Sequence, residues 1–243
     1  MTPEQLMAAE ENIVLEYRTG LPNVINELGL NNPPLMPLNR PEDSNNFYVA
    51  SYPSLHKASQ ILCNQVRSNQ ILQLHTMLTL ATLAFGWMPQ RLGQYATDID
   101  GIEAAFGGIN INDAKEAVVF LQNTFPEPVL VSPTNNSWSG LSKVLHFINP
   151  SIFPIWDRKV AMNFHPLKNN QNWTNRLSRY ISYISWCHLV FASNNNTDHV
   201  TIQQAVSQVQ TLFVDYVRYR EVEISRVRAL EFILFARGKT LNH

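Results

Sequence analysis

Residues 137–160 read SWSGLSKVLHFINPSIFPIWDRKV, and this stretch sets the fold class. Leu141, Val144, Leu145 and Ile148 fall at the spacing of one helix face, so a helix of about three turns is expected over residues 139–148. Asn149-Pro150 ends it. Pro154 restricts Phe153 to extended backbone angles, so Phe153-Pro154-Ile155 must cross back over apolar surface as non-helical chain. Asp157 then stands just before the next helical run. There a carboxylate is expected to accept N–H bonds from the first turn of the helix.

Outward from this stretch, nearly every patterned segment has helical period. Thr2-Pro3 opens a helix whose face is Leu6, Ile13, Val14 and Tyr17, and Gly20 stops it. Pro22 and Gly29 bracket a second short helix over residues 21–28. Residues 31–53 hold five of the 14 prolines and read as an ordered loop or linker, within which residues 45–52 are a candidate pocket lining. Helices are expected at 53–68 and 69–85, the latter (ILQLHTMLTLATLAF) apolar enough to be central to the core. Two more are expected at 97–106 and 112–124, with Asp98 and Asn112 as caps and Gly107-Gly108 between them. Residues 126–133 read as loop. Long helices are expected at 173–191 and 201–235, separated by a loop at 193–199. No strand alternation is sustained, so the fold class is all-α. A two-lobed helical globule is expected, with lobes at residues 1–110 and 111–243.

A length of 243 residues with 45% hydrophobic content fills a core and excludes a disordered chain. No apolar run reaches the ~18 residues of a membrane span. The opening MTPEQLMAAEEN is acidic, unlike the basic-then-apolar layout of a signal peptide, so a cytoplasmic location is expected. Cys63 and Cys187 lack CxxC spacing, and the seven histidines show no HExxH pattern, so no metal and no cofactor is proposed. The net charge of −1 conceals an asymmetry. Residues 1–136 carry six basic and 13 acidic residues, whereas residues 137–243 carry twelve basic and six acidic. Such a basic half suits either a polyanion-binding face or neutralisation of the acidic half across a shared interface. The charges of residues 218–239 read mostly as a solvated helix face that could also extend a DNA track.

The phrase Phe153-Pro154-Ile155-Trp156-Asp157-Arg158-Lys159-Val160 resembles the helix-hairpin-helix DNA glycosylases of base excision repair. In that superfamily a hairpin of the form L-P-G-V-G leads into a helix beginning with Lys or Ser. The catalytic aspartate follows 18 residues later in a phrase such as F-P-I-x-D-x-x-V. This chain matches at Phe153, Pro154, Ile155, Asp157 and Val160, and Ser139 stands 18 residues before Asp157. The same register places the hairpin at Asn135, Asn136 and Ser137, with Asn, the non-Gly residue most tolerant of positive φ, where the family has Gly.

The resemblance implies a helix-hairpin-helix-like element, double-stranded DNA as partner and Asp157 as the carboxylate that stabilises positive charge on the sugar as the base leaves. Ser139 in place of a lysine implies a monofunctional enzyme that uses water. Lys143, one turn further along the same face, is the alternative amine, and its other readings are a phosphate contact or a solvated lysine. Phosphate contacts are expected from Asn135, Asn136, Ser137 and Ser139, with charge from Arg158, Lys159 and Lys143. Trp138, Trp156 and Trp87 are candidates to stack on an extruded base or to fill the core, and a hydrogen-bonded structural role is expected for His146. Divergent glycosylase-like proteins of bacterial defence suggest a bulky modified base of phage DNA, such as glucosylated hydroxymethylcytosine, as substrate. Two other functions suit the same composition: a non-catalytic helical nucleic-acid-binding protein, and a protein-interaction module using the C-terminal helix. No obligate protein partner is inferred.

Overall fold

The computed structural model describes residues 7, 10, 11, 14, 44–68, 73–86, 110–125, 138–164, 177–217 and 223–240. All regular structure among them is helical, as the periodicity predicts. The helices are α1 (Ser44–Arg67), α2 (Gln73–Gly86), α3 (Ala114–Thr124), α4 (Trp138–Ile148), α5 (Arg158–Ala161), α6 (Leu177–Ala192), α7 (Thr197–Val217) and α8 (Arg226–Thr240). Among the described residues no helix is long and apolar enough to cross a membrane. The expected segments at 21–28, 97–106 and 126–133, most of the first helix, and Trp87 lie outside the described residues.

Short polar side chains set several starts. Asp113, rather than the expected Asn112, caps α3. Its carboxylate accepts the N–H groups of Lys115 and Glu116 at 2.8 and 2.9 Å, and Glu116 reaches back to the N–H of Asn112 at 2.7 Å. The Asp113→Ala variant is expected to lose about 1 kcal/mol of stability, read as a lower urea midpoint. Asn196 accepts the N–H groups of Asp198 and His199, so α7 begins inside the loop expected at 193–199. The single helix expected at 201–235 is two helices. Residues 223–225 are non-helical, and the Ser225 hydroxyl accepts the Arg228 N–H at 3.0 Å to start α8.

Residues 45–52 are helical, not loop, and Pro53 lies inside α1. A proline there forfeits one backbone bond. Burial of the neighbouring Tyr52 opposes that cost, since its ring meets Phe213 and Phe232 edge-on at 6.3 and 6.2 Å.

Contacts divide the chain into two units, each discontinuous, instead of lobes meeting at residue 110. One comprises residues 1–53, 158–168 and 186–243, and the other residues 54–157 and 169–185. Within the first, α8 packs on α5 and α7. Ile202, Val206, Val209 and Phe213 of α7 are buried at helical spacing, as are Leu230, Ile233 and Leu234 of α8. The Arg228 guanidinium lies 4.5 Å from the Tyr52 ring centroid and 4.1 Å from that of Phe232, and it pairs with Glu231. Burial pushes the Tyr52 hydroxyl pKa well above its ordinary value, with Arg228 opposing the shift. Arg228, Glu231 and Arg237 are therefore core residues. They do not belong to a solvated face or a DNA track, and Arg226 on the same helix is exposed.

Two further contacts fix this unit. Residues 7, 10, 11 and 14 are helical, and the Glu10 carboxylate accepts the Trp186 indole N–H at 2.8 Å and lies 3.0 Å from Nε2 of His199. Asn163, after α5, donates to the carbonyls of Leu234 (2.7 Å), Val160 (3.0 Å) and Lys159 (3.1 Å) and accepts from Arg237 at 3.0 Å.

In the second unit, α2 packs on α4. Met77, Leu80, Ala81 and Ala84 are buried, which makes α2 the core helix its composition predicts. Every residue of α4 except Ser139 is buried, so this helix is central and not merely amphipathic. Burial of each of its large apolar side chains contributes about 1.5–3 kcal/mol. Both cysteines are buried and neither is in a disulfide, and burial raises the pKa of Cys63 to about 11.

Candidate active site

The site grows from the end of α4. The Asn149 N–H closes the last helical turn on Leu145, and its carbonyl then accepts the N–H groups of Ile152 and Phe153. Its side chain donates to the carbonyl of Ile111 at 2.9 Å, which ties the turn to the residues before α3. The chain reverses at this turn. Residues 153–157 have no regular structure, and Phe153, Pro154, Ile155 and Trp156 are all buried.

Backbone groups buried without a ladder need other partners. Side chains supply them here. His146 holds the carbonyl of Phe153 at 2.8 Å; a carbonyl only accepts, so the proton is on Nδ1. Tyr180 of α6 donates its hydroxyl to the carbonyl of Pro154 at 3.1 Å. The N–H of Trp156 donates to the hydroxyl of Ser142 at 2.9 Å, and that hydroxyl lies 3.0 Å from the Ser139 carbonyl and 3.3 Å from the Trp156 carbonyl. These attachments descend α4 from 146 to 142 while the returning strap advances from 153 to 156. The strap therefore runs antiparallel to α4 and delivers Asp157 beside its N-terminal half.

Asp157 is half-buried and directly precedes α5. Trp156, behind it, is fully buried against Tyr183 at 5.0 Å between ring centroids. Ser139 is half-buried, and Lys143, on the same face of α4, brings Nζ to 3.4 Å from its hydroxyl. Lys143 is only 4% exposed, which corrects its reading as a solvated lysine or an outward phosphate contact. Arg158 is exposed and Lys159 half-buried at the start of α5 in the other unit.

Trp138 is a second correction. It packs edge-on against Phe125 at 5.6 Å and lies 6.1 Å from Tyr180, with 3% exposure, so neither it nor Trp156 is free to stack on a base. Asn135, Asn136 and Ser137, the expected hairpin, lie outside the described residues.

Ser142 and Tyr180 were not legible as part of the site, and His146 only as a structural histidine. The available signal was polar residues at 142 and 146, one turn apart, beside the apolar stripe of Leu141, Val144, Leu145 and Ile148. Among the described residues, no three His, Cys, Asp or Glu side chains come together as a metal-binding group. Comparison of the chain with protein-family models, curated proteins and solved structures finds no match, so the chemistry rests on its own residues.

Proposed function

We propose that the chain is a DNA N-glycosylase that hydrolyses the bond between deoxyribose and a modified or damaged base extruded from duplex DNA. The observation that carries this reading is the half-buried carboxylate of Asp157 at the end of a strap whose backbone is held by three side chains. As the C1′–N bond breaks, its electron pair leaves with the base and positive charge develops on the sugar. A fixed anion beneath the ring stabilises that charge. Water then adds to C1′; Asp157 orients it and takes its proton, which passes through solvent to the departed base anion, leaving a neutral free base, an abasic site and an ionised carboxylate.

Ser139 offers no amine, which favours hydrolysis by water over Schiff-base chemistry. Arg158 and Lys159 supply charge for phosphates. The resemblance to glycosylase-like proteins of bacterial defence favours bulky bases of phage DNA as substrates, with glucosylated hydroxymethylcytosine the first to try.

Incubation with a panel of damaged, mismatched and hypermodified duplexes, followed by alkaline cleavage, is expected to break one of them at the altered base. Binding should weaken with salt. Replacing Arg158 and Lys159 together by Ala should lower the slope of log K against log salt by about 2. Salt-dependent binding with no abasic product across the panel would leave a non-catalytic DNA-binding protein. Binding that is flat with salt would remove both.

A further inference from the structure

We infer that Ser142 and Tyr180, together with His146, are positioning residues that aim the carboxylate of Asp157; the inference rests on the glycosylase reading. The strap has no ladder of its own, yet its buried backbone groups are held from two sides. Ser142 and His146 act from α4, and Tyr180 acts from α6. All three side chains are fully buried, which leaves them little rotamer freedom. The Ser142 bond falls on the amide of Trp156, one residue before the carboxylate, so it fixes the last peptide before the acid. A side chain that must lie beneath a sugar loses its effect with small displacements, and about 1 Å is enough for a 100-fold loss.

Ser142→Ala and Tyr180→Phe each delete a single oxygen, so both spare the packing. Two measurements test the inference. The first needs no substrate. In Ser142→Ala the Trp156 amide should exchange with solvent about tenfold faster, while the Asn149 amide, bonded within the helical turn, keeps its wild-type rate. The second uses a duplex carrying glucosylated hydroxymethylcytosine under single-turnover conditions. Each variant should excise about 10- to 100-fold more slowly with DNA affinity unchanged. In an Asp157→Asn background, the added Ser142→Ala change should slow the residual reaction no further, because its effect passes through the carboxylate.

An unchanged Trp156 exchange rate, or a uniform rise across α4, overturns the positioning role. So does a Ser142→Ala effect that persists without the carboxylate. A fully active Asp157→Asn variant removes the carboxylate from the mechanism and the positioning role with it, a wild-type protein that excises nothing overturns the glycosylase reading, and the exchange result separates these failures.

Discussion

Asp157→Asn is expected to slow base excision by about 10²- to 10⁴-fold, the range spanned by general-base and charge-stabilising groups. The amide has nearly the shape of the acid but neither its charge nor its basicity. The exchange adds no bulk at a half-buried position, so the packing around residue 157 survives it. Helical signal and melting temperature should therefore match the wild type while abasic product disappears. DNA affinity should hold or rise slightly, since a negative charge has been removed near the phosphates. An Asp157→Asn variant that excises at the wild-type rate would remove Asp157 from the catalytic step. A collapse of structure together with activity would show instead that the carboxylate serves folding.

The second large effect is on stability, at Gly238. Helix propensity alone says that alanine in place of a glycine inside α8 should stabilise by about 0.5–1 kcal/mol. The packing says the opposite. A Cβ on residue 238 would lie 1.9 Å from the Lys159 carbonyl oxygen and 2.6 Å from its carbon, both backbone atoms of α5. That carbonyl is held by Asn163, which is bonded in turn to Leu234 and Arg237, so α5 cannot retreat without breaking those bonds. The clash wins. Gly238→Ala should lose about 2 kcal/mol net, or roughly 4–8 °C in melting temperature for a chain of this size. Arg226→Ala, exposed on the same helix, should stay within about 0.5 kcal/mol of the wild type. A Gly238→Ala protein that melts at or above the wild-type temperature would refute the close approach.

The fold class was legible because most helices keep an apolar period, and because Asn149-Pro150 and Pro154 force the reversal that places Asp157 before α5. What was missed lies where long-range packing overrides local pattern. Prolines and asparagines make residues 31–53 look like loop, yet α1 starts at Ser44 and Tyr52 within it is buried against Phe213 and Phe232. The break before α8 was hidden because Ile224 and Val227 continue a helical spacing across it, and only the capping Ser225 marks the boundary. Periodicity identifies one apolar stripe on α4 but cannot reveal that the helix is enclosed on every side. The burial of Lys143 was for that reason unreadable, whereas the core role of Trp138 was one of its two readings. The strap's attachments were half visible, as a serine and a histidine one turn apart on α4, but Tyr180 lies 26 residues beyond Pro154 and gave no local sign.

The shared carboxylate of Glu10 bears on where the chain can be cut. An expression boundary placed after Val14 would strip the Trp186 indole and the His199 imidazole of their common acceptor, whatever tag or fusion replaced the missing turns. A trimmed protein of that kind would report on a damaged α6–α7 pair, and poor yield or inactivity in it would say nothing about the chemistry of Asp157.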